Sequence, residues 1–163
     1  MSYYNKIAKS YDELHGEEQH NKLQVIKELI KPNKTDKLLD VGCGTGISSD
    51  FNCDVYSLDP SLELLNILKK KNQGAKTILA SAESIPFPDS TFDYVISLTA
   101  VQNFDDIKKG LTEIKRVSKN TIILSCLNKS NKKDEIILNL NKLFTNYKLL
   151  NTDTELIFLI QNI

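Results

Sequence analysis

The fold of this chain is decided by the segment Leu38-Leu39-Asp40-Val41-Gly42-Cys43-Gly44-Thr45-Gly46. Its first half completes the short apolar stretch Lys37 to Val41, which predicts a buried strand. Its second half is a glycine cluster, which lets the main chain turn tightly and approach a ligand with no Cβ in between. A strand that ends in such a turn is typical of the ligand-binding crevice of an open parallel sheet.

Helix-length and strand-length segments alternate on both sides of this turn. The predicted strands are Lys37–Val41, Asp54–Leu58, Lys76–Ala80, Tyr94–Leu98 and Thr121–Leu127, and the predicted helices are Glu17–Lys31, Ser61–Lys71, Phe104–Val117 and Lys132–Phe144. Two strand-like runs, Tyr147–Leu150 and Leu156–Gln161, follow and predict a C-terminal hairpin. The sequence therefore predicts a single α/β domain over residues 1–163, with a mostly parallel seven-stranded sheet, an antiparallel hairpin and helices on both faces.

The composition is that of an ordinary globular protein and narrows the possible partners. Basic and acidic residues both number 21, and this balance argues against a chain that grips nucleic acid unaided. The lysine-rich stretch Lys115 to Lys148 is either a solvated helical surface or a local RNA footprint. The N-terminus is polar, and no apolar run has the length needed to span a membrane. The three cysteines show no CxxC spacing. These features favour a cytoplasmic protein that does not enter membranes. His15 and His20 have no further ligand near them, so no metal site is predicted.

The spacing of the glycine turn restricts the kind of ligand. It reads GxGxG, whereas dinucleotide-binding proteins use GxGxxG, and Ile47 stands where the last glycine of that pattern would be. No GxxxxGK[ST] sequence occurs, which excludes a P-loop. Asp40, two positions before the first glycine, would repel a pyrophosphate and suits a cationic ligand. Asp59 ends the second strand, where a carboxylate either binds ribose hydroxyls or caps the following helix.

These residues resemble motifs of the class I S-adenosylmethionine-dependent methyltransferases, including the type 11-like group. Leu38 to Gly46 looks like motif I of that family, and Asp59 stands at its motif II position. The stretch Ala82 to Ser97 is similar to the passage from the third to the fourth strand. Tyr4 to Asp12 resembles the N-terminal helix that covers the cofactor, so residues 1–31 are expected to supply a lid and the first helices. The resemblance covers nearly the whole chain.

The resemblance implies S-adenosylmethionine as the cofactor, and it implies roles for individual residues. Asp40, Gly42 and Gly44 would hold the methionine moiety, and Asp59 would bind the ribose hydroxyls with Pro60 beside the adenine. Ser81 and Ala82 would contact the adenine, Tyr11 would close over the cofactor, and Ser97 and Leu98 would line the methyl-transfer site. Ser81 stands where many members carry an acid and would accept a weaker hydrogen bond. The short distance from Gly46 to Asp59 predicts a single-turn helix after the glycine turn.

The methyl acceptor is less constrained. No [ND]PPY sequence follows the fourth strand, so methylation of adenine N6 or a glutamine side chain is not expected. Ala100-Val101-Gln102 resembles the ribosomal-RNA guanine-N7 methyltransferases, which work with a small activator protein; such a partner would pair with the edge strand Lys76–Ala80. In the alternative interpretation, Gln102 and Asn103 only lead into the helix that starts at Phe104, with Asn103 as its N-cap. A small-molecule methyltransferase and a non-catalytic binding module remain alternatives.

Overall fold

A computed structural model describes residues 17–18, 20–46 and 50–163 of this chain. Its strands are β1 (Lys37–Val41), β2 (Asp54–Asp59), β3 (Lys76–Leu79), β4 (Phe92–Leu98), β5 (Ser118–Leu127), β6 (Lys148–Asn151) and β7 (Glu155–Gln161). Its helices are α1 (residues 17–18 and 20–29), α2 (Leu62–Lys71), α3 (Ile107–Val117) and α4 (Lys133–Leu143), with a 3₁₀ turn at Val101–Asn103.

The described strands form one sheet in the order β3-β2-β1-β4-β5-β7-β6. β7 runs antiparallel to both of its neighbours, and the other described pairings are parallel. This confirms the predicted fold class, a mostly parallel sheet with a C-terminal antiparallel hairpin. The order of the strands reverses between β1 and β4, and a crevice forms at such a point beyond the carboxyl ends of the strands. The glycine turn follows β1 and therefore opens into this crevice.

Successive side chains of a strand point to opposite faces of the sheet. Both faces carry buried residues, and helices cover both. On one face, Leu39 and Val41 of β1 pack in the same cluster as α3 and α4. On the other face, Leu38 packs in the cluster that contains Ile26 of α1. α2 contacts the glycine turn itself, since Leu65 and Leu68 form a small cluster with Cys43. The turn is thus fixed between a central strand and a helix.

The region after β4 differs from the sequence prediction. Residues Val101–Asn103 form a separate 3₁₀ turn, and α3 begins only at Ile107. The N-cap of α3 is Asp106, whose side chain accepts the main-chain N–H of Lys109 at 3.0 Å. The prediction that Asn103 caps this helix is therefore wrong. Because the extra turn separates β4 from α3, the segment 99–105 is free to line the crevice instead of continuing a helix.

Several predictions concern segments beyond the described residues. The covering helix around Tyr11 lies within residues 1–16, and the single-turn helix after Gly46 falls on residues 47–49.

β3 lies at one edge of the sheet, as the sequence predicted for Lys76–Ala80. Among the helices that the structure describes, none has the length and apolar character that a membrane crossing requires.

Candidate active site

The glycine turn is held closed by main-chain hydrogen bonds to the neighbouring strand. The N–H groups of Gly42 and Cys43 both donate to the carbonyl oxygen of Leu58, at 2.8 and 3.0 Å. Gly42 has a φ of +75°, in the region that side-chain-bearing residues rarely adopt. A Cβ placed on Gly42 would lie 2.6 Å from the Cβ of Ala100. Glycine is required here both for the backbone conformation and for the close approach of the segment after β4.

Asp59 links the glycine turn to the start of α2. One carboxylate oxygen accepts the N–H of Gly44 at 2.9 Å, and the other accepts the N–H of Ser61 at 2.8 Å. A carboxylate has about four lone-pair sites, so two main-chain donors leave capacity for ribose hydroxyls. Burial raises the pKa of Asp59, and the hydrogen bonds from Ser61 and Gly44 partly offset this effect. Ser61 itself caps α2 through its side chain, so Asp59 is not needed as the cap.

A cleft opens between the glycine turn, the ends of β2 and β3 and the segment after β4. Its lining carries three carboxylates, on Asp59, Glu83 and Asp105, and no lysine or arginine among the described residues. This charge suits a cationic ligand, as the sequence predicted from Asp40. The residues that line the cleft are Gly42, Gly44, Leu58, Asp59, Pro60, Leu64, Ser81, Ala82, Glu83, Thr99, Ala100, Asn103, Phe104 and Asp105.

The loop after β3, which supplies Ser81 and Ala82 to the cleft, is fixed from behind by Arg116 of α3. The Arg116 guanidinium donates to the carbonyl oxygens of Ile85 and Phe87, at 2.9 and 2.8 Å. It also pairs with Glu113 and Asp89, and these carboxylates raise the pKa of the guanidinium. The pKa of Glu113 is lowered, first of all by its hydrogen bond from Arg116. Five donors in a rigid fork make arginine suited to this task.

Glu83 ties the same loop to the start of α3. Its carboxylate accepts the main-chain N–H of Asp106, the residue that caps α3, at 3.0 Å. The loop after β3 is therefore anchored at two points on α3, one near each end. Neither Arg116 nor Glu83 was identified from the sequence, although an arginine three residues after Glu113 is a recognisable i,i+3 pair.

Three predicted site residues lie behind the cleft and are not among its lining residues. Asp40 is fully buried at the end of β1. Ser97 is also fully buried, and its hydroxyl donates to the carbonyl oxygen of Val41 at 2.8 Å. Leu98 packs in the cluster with Ile26 on the opposite face of the sheet. Because β4 runs on past Ser97 before the chain turns, the residues that reach the cleft are Thr99 and Ala100. Gln102 is not a lining residue either.

Cys43, inside the glycine turn, is not a candidate nucleophile. Burial raises the pKa of its thiol well above the ordinary value, and the carboxylates of Asp40 and Asp59 raise it further. Its side chain packs against Leu65 and Leu68 of α2. A thiol held in its protonated form among apolar side chains is unreactive, so Cys43 serves packing.

The strand order, the glycine turn and the carboxylate at the end of β2 define a class I methyltransferase, whose cofactor is S-adenosylmethionine. This cofactor requires glycines that allow close contact with the main chain, and a carboxylate that binds its ribose. A family model described as a methyltransferase domain matches residues 39–125, which is more than half of the chain. The chain belongs to this family.

Individual relatives agree with this assignment. The chain is 35% identical over 126 residues to the malonyl-[acyl-carrier protein] O-methyltransferase of Hamiltonella defensa, covering 73% of this chain and 47% of the relative. It is 29% identical over 165 residues to the ubiquinone/menaquinone biosynthesis C-methyltransferase UbiE of Rickettsia bellii, covering 88% of this chain and 66% of the relative. The chain thus spans about half to two thirds of the length of these curated relatives.

A solved structure has the same fold at lower identity. It is the chain bound to the Trm112 methyltransferase activator in a complex from Haloferax volcanii. It superposes with a TM-score of 0.73 and 15% identity, covering 96% of each chain. At this identity the likeness shows the fold alone.

Proposed function

We propose that this chain binds S-adenosylmethionine in the cleft and transfers its methyl group to a small organic acceptor. The observation that carries the proposal is the pair of bonds that fix Asp59 to Gly44 and Ser61 at the mouth of the glycine turn. They hold a carboxylate ready for the ribose and fix Gly44 in the cleft lining, where the methionine moiety would lie. Burial of this carboxylate strengthens its hydrogen bonds to a bound ligand.

Bound S-adenosylmethionine supplies a methyl group that is already activated by the sulfonium sulfur. The protein's contribution is to hold the acceptor in line with that methyl group and to exclude water. Thr99 and Ala100 line the cleft, and Ala100 lies against the glycine turn, since a Cβ on Gly42 would come within 2.6 Å of the Cβ of Ala100. Asn103 and Phe104 continue this wall outwards. The acceptor is expected to lie against these residues.

The charge of the cleft supports a small acceptor. RNA binding relies on lysine and arginine near the phosphates, and the described lining contains neither residue type. Three carboxylates around the cleft would repel a polyanion. The relative named for ubiquinone/menaquinone biosynthesis is consistent with an organic acceptor.

Calorimetry with S-adenosylmethionine and S-adenosylhomocysteine tests the cofactor site. We expect micromolar binding by the wild type and no measurable binding by Asp59→Ala. Asp50→Ala is the matched control, since Asp50 is exposed and pairs only with Lys27 among the described residues. If the folded wild type binds neither compound, the proposed function is wrong; the binding module is left as the explanation if a co-purifying partner does not restore binding either.

The acceptor class is tested by incubating the protein with labelled S-adenosylmethionine and a cell extract divided into small molecules, lipids, protein and RNA. We expect label in the small-molecule or lipid fraction. Label confined to RNA, with activity that falls steeply as salt is added, would instead establish an RNA methyltransferase.

The second candidate is an RNA methyltransferase that works with an activator at the β3 edge of the sheet. Among the described strands β3 pairs only with β2, and this edge position favours the candidate, together with the exposed side chain of Leu79 at the end of the strand. An edge strand of this kind accepts a partner strand by main-chain pairing. The solved neighbour from Haloferax volcanii is itself bound to an activator. A pull-down that recovers this chain alone, from an extract in which it transfers label, would exclude the partner.

A further inference from the structure

A buried ion pair lies behind the acceptor wall of the cleft. The ammonium of Lys22, on α1, is 2.7 Å from a carboxylate oxygen of Glu155, at the start of β7, and each side chain is only 4% exposed. Burying two charges is costly unless further hydrogen bonds satisfy them. Here the same Glu155 oxygen also accepts the hydroxyl of Thr99 at 2.6 Å. The Lys22 ammonium in turn contacts the Thr99 hydroxyl oxygen.

Thr99 is held in an unusual backbone conformation at this point. Its φ is +54°, which is rare for a β-branched residue and costs free energy. Its main-chain N–H donates to the carbonyl oxygen and to the hydroxyl of Ser125, at 3.1 and 2.9 Å. The fold therefore fixes both the backbone and the side chain of Thr99. Such over-determined strain is concentrated at functional sites.

Thr99 stands between two cavities. It lines the cofactor cleft, whereas Lys22 and Glu155 line a second cavity between α1 and the turn that joins β6 to β7. Thr99 is thus part of the cleft lining, and its hydroxyl group contacts a charge pair that does not itself belong to that lining.

The hydrogen bonds determine what Thr99 offers to a ligand. Its hydroxyl proton is directed at the Glu155 carboxylate, which accepts and cannot donate while ionised. One lone pair of the oxygen faces the Lys22 ammonium. The capacity that remains is one acceptor lone pair, so Thr99 presents an oxygen that accepts but does not donate. Hydrogen bonds in such a chain strengthen one another.

We infer that Thr99 is a specificity-determining residue, positioned by Lys22 and Glu155, that accepts a hydrogen bond from an N–H or O–H group of the methyl acceptor. This inference rests on the proposed function and narrows the acceptor to an amine, amide or hydroxyl compound. A carboxylate acceptor, which has no proton to donate, would meet the Thr99 oxygen with repulsion. Within the described part of the chain, the polar atoms bonded to Thr99 come from β5, β7 and α1, through Ser125, Glu155 and Lys22.

The inference can be tested before the acceptor is known, with sinefungin as the probe. Sinefungin carries an amine where S-adenosylmethionine carries the transferring methyl group, so its N–H donors occupy the place where an acceptor group approaches. S-adenosylhomocysteine lacks any group there. We expect the wild type to bind sinefungin about tenfold more tightly than S-adenosylhomocysteine, the size of a hydrogen bond to a charged donor.

Thr99→Val keeps the β-branched shape and removes the hydroxyl, and Thr99→Ser keeps the hydroxyl. We expect Thr99→Val to lose the tenfold preference while its affinity for S-adenosylhomocysteine stays within about twofold, and Thr99→Ser to retain the preference. If Thr99 had only a structural role, Thr99→Val would lower the affinity for both ligands equally. Unchanged preference in Thr99→Val overturns the inference and leaves the proposed function intact. Failure of the wild type to bind either ligand overturns the proposed function itself.

A second variant tests the positioning pair. The double substitution Lys22→Met with Glu155→Leu removes both charges of this pair together, so that neither keeps its charge without the other. The Thr99 hydroxyl then rotates freely and has no fixed acceptor direction. We expect the preference for sinefungin to fall at least about threefold in this folded variant. A preference equal to that of the wild type would show that Lys22 and Glu155 do not position Thr99.

Discussion

A carboxylate oxygen of Asp59 accepts the main-chain N–H of Gly44 at 2.9 Å, so the ends of β1 and β2 are joined by a side chain that also faces the cleft. The bond fixes the position of Gly44 within the glycine turn. It also makes the conformation of the turn dependent on the protonation state of Asp59.

Ligand affinity should therefore fall at acid pH. Since burial raises the pKa of Asp59, this carboxyl takes up a proton at a higher pH than an ordinary aspartate. The protonated form accepts fewer hydrogen bonds, so the affinity for S-adenosylhomocysteine decreases as the pH falls through the raised pKa. The raised pKa means that the native state binds this proton more tightly than the unfolded state, so protonation of Asp59 does not itself unfold the protein.

Calorimetry between pH 4 and pH 8, with circular dichroism to monitor folding, measures this effect. Asp59→Asn should bind weakly with no pH dependence over the same range. A wild-type affinity that is constant down to the pH of acid unfolding would contradict the role of Asp59.

Gly42→Ala should abolish cofactor binding. The new Cβ would lie 2.6 Å from the Cβ of Ala100, and the φ of +75° would be strained besides. We expect a loss of roughly 1–3 kcal/mol in the free energy of unfolding. Gly74→Ala is the control, because its Cβ would meet nothing closer than 3.5 Å. The two variants should have clearly different midpoints of urea denaturation. Similar midpoints would show that the turn accommodates the new Cβ without a loss of stability.

Arg116→Ala should weaken both the fold and the cofactor site. The guanidinium holds the carbonyl oxygens of Ile85 and Phe87, and its loss leaves the loop after β3 without this anchor. We expect a loss of about 2 kcal/mol in the free energy of unfolding and lower affinity for S-adenosylhomocysteine. Arg116→Lys should restore little, since an ammonium lacks the fork geometry. Lys108→Ala, on the exposed side of the same helix, should match the wild type in thermal melting and calorimetry.

The three cysteines should resist alkylation in the native state. Burial raises the pKa of Cys53 and Cys126 to about 11, and that of Cys43 also rises. Only the thiolate reacts, so labelling with iodoacetamide at pH 7.5 should be about a hundredfold slower than in urea-unfolded protein. Mass spectrometry of the labelled peptides measures each site. Rapid labelling of Cys43 in the folded protein would show that the glycine turn opens.

The fold was predictable because its main signals are local. β1 has the bounds that its apolar run predicted, and Ser61 caps α2 as its position after Pro60 suggested. Gly42, Gly44 and Asp59, which the sequence singled out, also line one cleft. These features depend on residues that are neighbours in sequence. They can therefore be recognised without knowledge of the tertiary contacts.

The acceptor side was not predictable in the same way. Thr99, Glu155 and Lys22 are far apart in sequence, and their contact depends on β7 lying beside β5. A weak signal existed, since Lys22 occurs next to the apolar stripe of α1, where a charge is unexpected. The sequence predicted the end of β4 at Leu98, but it could not show that Thr99 and Ala100, beyond that end, line the cleft.

The direction of β7 has a practical consequence. Because β7 runs against its neighbours, its first residue, Glu155, lies on the cleft side of the sheet, and Gln161 pairs with Thr121 near the beginning of β5. Polypeptide fused after Ile163 therefore starts on the side remote from the ligand. A tag, a fluorescent reporter or a surface tether joined there should leave ligand entry unobstructed, which makes this end suitable for immobilised binding assays.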